Sequence, residues 1–328
     1  MPDHAILVTG GAGYIGSHAV LAFLEDGHRV VVVDDLSTGR RDAVAEAVPL
    51  IEGDVGDSAL IGRVIRDHAV AAVVHFAGSI VVPESVADPL KYYRNNTAAS
   101  RALIEACVVS GVGRFIFSST AAVYGLPEAT PIRETAATVP INPYGTSKLV
   151  TEWILRDTAA AHDFDYVALR YFNVAGADPA GRAGQSTPNA THLIKIASEA
   201  VTGRRDHVEI YGEDYDTPDG TCIRDYIHVT DLAAAHVDAL RHLAGGGGSL
   251  VLNCGYGRGY SVRQVLDAVE RTAGLDLDIR GGPRRPGDSV SLVADAAEIR
   301  KRFAWRPRYD DLDVIVRTAI DWQRKLAE

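Results

Sequence analysis

Short apolar runs alternate with longer stretches of mixed hydrophobic and polar residues through the first half of the sequence. The runs Ala5–Thr9, Val30–Val33, Ala72–His75, Phe115–Phe117 and Tyr166–Leu169 read as strands. Helical patterns lie between them, near 14–26, 57–67, 89–110 and 144–161. Such alternation predicts right-handed βαβ crossovers and an α/β fold built on a doubly wound parallel sheet. Ligands of such sheets bind at the carboxyl ends of the strands, so the residues just after each apolar run are the ones to inspect. After about residue 175 the rhythm breaks, with Gly, Pro, Asp and Thr dense in 176–190 and 211–221. The run Gly245–Gly248 reads as a flexible turn ending a helix. A smaller, loop-rich α/β portion interleaved with the main sheet is expected. The main portion takes 1–175 plus about 226–254, and the smaller takes about 176–225 plus 255–328.

The 328 residues and 47% hydrophobic content suit one large domain or two intimately packed ones. A formal charge of −10 argues against nucleic-acid and anionic-membrane partners, so an anionic substrate needs a local basic pocket. Cys107, Cys222 and Cys254 are odd in number and lack C-x-x-C spacing, which suggests buried thiols and neither disulfides nor a metal site. No basic-then-apolar leader opens the sequence, and no apolar run approaches the roughly 18 residues of a membrane span. A soluble, cytoplasmic protein is expected.

Gly10-Gly11-Ala12-Gly13-Tyr14-Ile15-Gly16 follows the first predicted strand and opens a helix. Glycines at 10, 13 and 16 permit a tight turn, close approach to a pyrophosphate and close helix–strand packing. Asp34 ends the second strand, placed to accept hydrogen bonds from adenosine ribose hydroxyls and to repel a 2′-phosphate, which favours NAD over NADP. Arg40 and Arg41 follow closely, and arginines are able to accommodate that phosphate. Asp54 ends the third apolar run, near the adenine or as a plain strand-end turn. His75-Phe76-Ala77-Gly78 closes the next strand with small residues where a cofactor would lie against the backbone. Together these predict a Rossmann-type nucleotide site.

Tyr144 and Lys148 stand four apart, on one face of a predicted helix. A free tyrosine titrates near about 10, so it acts as a base at neutral pH only beside positive charge. Lys148 supplies one charge and an oxidised nicotinamide another. Ser118-Ser119-Thr120 ends the preceding strand; Thr120 is placed to hydrogen-bond a reacting sugar oxygen and relay its proton. Ser118 and Thr120 also suit a bland role tying down a turn.

The segments VTGGAGYIGSH, FAG, ESV, YYRNN, FSSTAAVYG, NPYGTSK, LRYFNVAGA, RDYIHVTDLA and RRPGD resemble the extended short-chain dehydrogenase/reductase family. Within it, the resemblance is to the UDP-glucose (UDP-galactose) 4-epimerases, from about residue 5 to 325. It implies that Tyr144 takes the sugar 4-hydroxyl proton while C4 passes hydride to tightly held NAD. The 4-keto sugar then rotates and is reduced on its other face, with no net oxidation. The same resemblance casts Asn173, His192 and Leu193 in the substrate pocket and Arg224 and Arg285 on the diphosphate. Asp288 falls to the uridine ribose and Tyr211 to the uracil; Arg284 is an equal candidate beside Arg285. It adds Tyr14, Ile15, Asp35, Val55, Asn95, Ser118 and Tyr171 to the cofactor site. A homodimer is implied through helices near 97–110 and 144–161; Leu103, Cys107, Leu149, Trp153 and Ile154 are compatible apolar residues, and a face buried within one chain would look the same.

Ala121 and Ala122 follow Thr120 where sugar-nucleotide dehydratases and decarboxylases need acid/base carboxylates, which disfavours both. A non-catalytic NAD-sensing regulator is a further alternative, disfavoured because Tyr144 and Lys148 are both present. Epimerases of UDP-pentoses or UDP-uronic acids are the nearer rivals. Ser79-Ile80 stands where many family members carry a lysine, and His192 where asparagine is common. His228 and His236 lie on a helical stretch without metal-ligand grouping. Ser291 corresponds to a bulky tyrosine in the family, so a small residue there predicts acceptance of UDP-GlcNAc and UDP-GalNAc.

Overall fold

The computed structural model describes residues 4–188, 190–285 and 287–327. Six strands come from the first half: β1 (Ala5–Thr9), β2 (Arg29–Asp34), β3 (Leu50–Glu52), β4 (Val70–His75), β5 (Arg114–Thr120) and β6 (Asp165–Tyr171). Each expected strand is present, most of them a residue or more longer than its apolar run. The later strands are β7 (Asn173–Ala175), β8 (Val208–Tyr211), β9 (Ile223–His228), β10 (Leu250–Cys254), β11 (Gly259–Ser261), β12 (Ile279–Gly282) and β13 (Ser291–Leu292).

The main sheet is seven-stranded and parallel, ordered β10-β6-β5-β4-β1-β2-β3. Side chains alternate faces along a strand, and the core divides accordingly. Ile6, Val8, Val32 and Val74 join one cluster; Leu7, Val31, Val33 and Val73 join another. Helices cover both faces, with Tyr14–Glu25 and Val229–Ala244 packed together on the first. Ser58–Asp67, Ala99–Val109 and Pro143–Ala161 cover the second. Burial on both sides explains why these strands read as continuous apolar runs.

The helix expected over 89–110 is broken into Pro89–Tyr92, a π-helical turn at Tyr93–Ala98, and Ala99–Val109. A short helix at Val82–Ala87 precedes it. Outside the main sheet β9 pairs with β7, β11 and β13, while β8 pairs with β12. One expectation is corrected. Only His236 lies within a helix; His228 ends β9, and its Nδ1 accepts from the Thr230 N–H to cap Val229–Ala244. Leu103, Cys107 and Leu149 are buried inside this chain, so of the expected dimer residues Trp153 alone is exposed, at 46%. Gly245 caps the helix before it, and Gly246 and Gly248 take positive φ, as that turn requires. Among the described residues no helix is long and apolar enough to cross a membrane, and no cluster of His, Cys, Asp or Glu is placed to hold a metal.

Candidate active site

The strand order reverses between β1 and β4, and the segments leaving these two strands meet there. Gly10 has φ +70°, and a Cβ on it would stand 2.6 Å from the Ala77 nitrogen. A Cβ on Gly16 would meet the Gly10 carbonyl oxygen at 2.1 Å, and Gly13 caps the helix that follows. The result is a backbone cradle at a helix N-terminus, as a pyrophosphate needs. The Tyr14 phenol turns away and donates to the Gly176 carbonyl at 2.7 Å, while Ile15 packs on the core.

Asp34 is buried at the end of β2, where Oδ2 accepts from the Ala12 N–H and Oδ1 from the Leu36 N–H, each at 2.9 Å. Burial raises its pKa, with the two N–H donors opposing. The carboxylate thus ties the glycine loop to the strand beside it. Asp35 is exposed and accepts from Ser37; Asp54 is exposed and accepts from the Gly56 N–H at 2.7 Å. Val55 is buried in the core cluster of that face. The cradle, the carboxylate at its rim and the narrow gap at Ala77 fit a dinucleotide.

Asn142 caps the helix Pro143–Ala161 through the Gly145 N–H, and Pro143 sets its first turn. Tyr144 therefore enters the site at a fixed angle, with Lys148 one turn later. The Thr120 side chain lies close to the Tyr144 hydroxyl. Burial raises the Tyr144 pKa and the Thr120 contact opposes it. Lys148 donates from Nζ to the Ser118 carbonyl at 2.9 Å, rests over the Phe117 ring and lies 3.9 Å from a Cβ built on Gly78. Burial lowers its pKa to about 8. His75, between Thr9 and Ser100, is held neutral with a pKa near about 3 by burial and by the Lys148 charge. The Tyr171 hydroxyl approaches Ser118 without a well-formed hydrogen bond and is an orphaned buried polar atom facing this site.

Three features escaped the sequence reading. Asn96, in the π-helical turn, accepts from the Ser79 N–H and donates to its carbonyl, while Asn95 reaches the Ser79 hydroxyl. The Tyr92 ring stands edge-on to Tyr144, its own hydroxyl fixed by Glu84 and the Val81 carbonyl. Glu152 forms a buried ion pair with Arg170. The spacing 144, 148, 152 on one helix was a legible signal for the last.

On the substrate side, Asn173 pairs with Tyr226 across β7 and β9. With His192 and Leu193 they line a narrow cleft. His192 begins the helix Leu193–Val201, its Nδ1 accepting from Gln185 at 2.9 Å; burial lowers its pKa. Arg285 stacks on the Tyr211 ring at 3.6 Å, and Arg224 lies 3.7 Å from Asp288. The Asp288 N–H donates to the Arg285 carbonyl at 3.2 Å, so these two pairs join four of the expected ligands. Arg284 is engaged by Asp214 instead. Ile80, where a family lysine is missing, is 46% exposed.

Ser291 opens β13. Leu292, its neighbour on β13, packs against the cluster that includes Ala121 and Leu149, directly beyond Thr120 and Lys148. Adjacent strand residues face opposite ways, so Ser291 lies on the face of β13 opposite that cluster.

The family model for the NAD dependent epimerase/dehydratase family matches residues 6–255. A UDP-glucose 4-epimerase of Azospirillum brasilense is 62% identical, covering 98% of this chain and 93% of the relative. The UDP-glucose 4-epimerase of Brucella ovis, solved in complex with NAD, is 47% identical with a TM-score of 0.94, covering 97% of this chain and 98% of the other. The UDP-Glc/GlcNAc 4-epimerase of Campylobacter jejuni is 47% identical with a TM-score of 0.86, covering 98% and 99%. This chain is a member of the NAD dependent epimerase/dehydratase family, and its similarity within that family is to the UDP-glucose 4-epimerases.

Proposed function

We propose that the protein interconverts UDP-glucose and UDP-galactose by inverting C4 through a transient 4-keto sugar. The observation that carries this reading is the Tyr144 hydroxyl, set beside the Thr120 side chain one helical turn before the buried amine of Lys148. NAD, when bound, supplies the acceptor and then the donor of the C4 hydride. The glycine cradle, Asp34 and the Phe76–Gly78 segment would hold it, with Tyr171 and Asn95 beside its nicotinamide half. Thr120 aligns the sugar 4-hydroxyl, and Tyr144 removes its proton with the Lys148 charge favouring the phenolate. After the sugar turns over, Tyr144 returns the proton. Arg224 and Arg285 grip the diphosphate, a role for which planar, permanently charged guanidinium groups are suited. Asp288 and Tyr211 take the uridine, and Asn173, His192 and Leu193 line the sugar end. Ala121 and Ala122 offer no proton to a departing hydroxide, so the ketone is reduced again rather than dehydrated.

In this reading residues 1–175 and about 226–254 serve NAD, while about 176–225 and 255–328 serve the UDP-sugar. A cytoplasmic homodimer belongs to it, with Trp153 as the exposed apolar residue left for the interface. Purified protein incubated with a panel of UDP-sugars and no added NAD tests the proposal. Interconversion of UDP-glucose and UDP-galactose is expected; a stoichiometric demand for NAD, with an oxidised sugar as product, refutes it. A second reading, that UDP-GlcNAc and UDP-GalNAc are also substrates, is favoured by the likeness to the Campylobacter jejuni UDP-Glc/GlcNAc enzyme.

A further inference from the structure

Glu152 stands one helical turn beyond Lys148. Helical side chains lean toward the N-terminus, so its carboxylate covers the turn that carries the lysine. Both are buried, Glu152 to 4% exposure and Lys148 to 2%. A carboxylate and an ammonium at this spacing, away from water, are natural ion-pair partners. They are not paired. Among the described residues no carboxylate lies within ion-pair distance of the Lys148 Nζ, whose partners are the Ser118 carbonyl and the Phe117 ring.

The carboxylate is held from the other side. Arg170, buried on β6, donates from Nε to Oε1 at 2.9 Å and from Nη2 to Oε2 at 2.6 Å. The Ser119 hydroxyl donates to the same Oε1. Arg170 is itself fixed by the Tyr124 hydroxyl at 3.0 Å and the Glu134 carbonyl at 3.3 Å. Both carboxylate oxygens are thus occupied on the side away from the catalytic lysine.

We propose that Arg170 is a positioning residue that keeps Lys148 unpaired: by holding the Glu152 carboxylate it leaves the lysine charge to the Tyr144 hydroxyl. This deepens the catalytic reading above and rests on it. The titratable groups facing the cluster from other elements are His75 on β4, Tyr124 after β5, Tyr166 and Tyr171 on β6, Tyr92, and Glu134. Arg156 and Asp157 lie on the same helix, exposed and bonded to each other. Arg170 is the buried cation set against Glu152.

The test uses the full chain with its cofactor and three variants: Arg170→Met, Glu152→Gln and the double Arg170→Met/Glu152→Met. The lysines number five, so the Lys148 titration is resolvable by NMR of carbon-labelled lysine, with Lys148→Arg assigning the signal. In Arg170→Met the freed carboxylate draws Lys148, and both its titration and the rise of kcat with pH move to higher pH by about one pH unit. In Glu152→Gln the unpaired guanidinium moves both to lower pH. The double variant returns to wild-type values. Loss of a merely structural pair would not move the titrations in opposite directions. Shifts of one sign in both single variants, or an unmoved Lys148, overturn the proposal. Removing one partner of a buried pair is costly, and Arg170→Met is the variant most exposed to misfolding. Should it not fold, the other two decide: Lys148 must move down in Glu152→Gln and stand at its wild-type position in the double. Wild-type protein inactive on every UDP-sugar would refute the catalytic reading alone, since the lysine titrations are read without turnover.

Discussion

Asn96 holds the backbone of Ser79 on both sides, accepting from its N–H at 2.7 Å and donating to its carbonyl at 2.9 Å. A third bond, from Nδ2 to the Ser147 hydroxyl at 3.0 Å, joins this clamp to the helix that carries Tyr144 and Lys148. The wall of the proposed cofactor site and the catalytic helix are therefore fixed by one side chain. Asn96→Ala leaves buried donors and acceptors unsatisfied and is expected to cost about 1–3 kcal/mol of stability. It also lets the Gly78–Ser79 segment move, so NAD retained through gel filtration should fall about tenfold. Thermal unfolding and the nucleotide content of the purified variant check both outcomes.

Gly10→Ala combines two penalties, a positive φ and a Cβ only 2.6 Å from the Ala77 backbone nitrogen. Neither neighbour is a flexible side-chain tip, so the β1 and β4 ends must part. We expect NAD retention to fall by at least about tenfold while far-ultraviolet circular dichroism keeps the α/β signature. Gly27→Ala, at a glycine whose Cβ would meet nothing, serves as the control that should keep its NAD.

Tyr144→Phe should lower turnover by about 100-fold to 10,000-fold, the range for a positioned proton-transfer group, with NAD still bound. An active Tyr144→Phe would remove that residue from the mechanism.

Lys148 carries a separate cost in stability. Its pKa falls from 10.5 in the unfolded chain to about 8 in the fold because burial disfavours the charge. The folded state therefore binds the proton less tightly than the unfolded one. The resulting destabilisation, about 3 kcal/mol, is fully present below pH 8 and is relieved as pH rises from 8 to 10.5. Lys148→Met should be inactive yet more stable than wild type at pH 7, with the gap closing above pH 8. Denaturant unfolding across this pH range would detect it; a gap that widens with pH contradicts the sign.

The face of β13 yields a pair of variants. Leu292→Tyr puts bulk beside the Ala121 turn and should reduce activity on N-acetylated UDP-sugars relative to UDP-glucose by about tenfold or more. Ser291→Tyr, on the opposite face, should leave that ratio unchanged. Initial rates on UDP-glucose and UDP-GlcNAc compare the two, and a Ser291→Tyr effect larger than that of Leu292→Tyr would reverse the assignment.

The main sheet was legible because its strands are buried on both faces and stand out as apolar runs between turn residues. Gly10, Gly13, Gly16 and Asp34 were legible because a backbone turn has strict local needs. Tyr144 and Lys148 were legible from helical spacing. What stayed hidden depends on partners distant in sequence. Asn96 acts through a π-helical turn that interrupts a pattern read as one continuous helix. Glu152 matters only because β6 places Arg170 opposite it. A two-residue strand such as β13 has too little alternation of its own to reveal that Leu292 packs on the cluster beyond Thr120. His228 read as helical because its sequence neighbours are, whereas its ring serves to start the helix.

Strand β9 carries Arg224 at one end and passes through His228 directly into the helix that packs against the glycine-loop helix. The substrate-side strand and the cofactor-side helix are one uninterrupted stretch of chain. A segment exchange with a relative that cuts within this stretch would part Arg224 from the helix that braces the glycine loop. Substitution in place, at positions such as Leu292, avoids that cut.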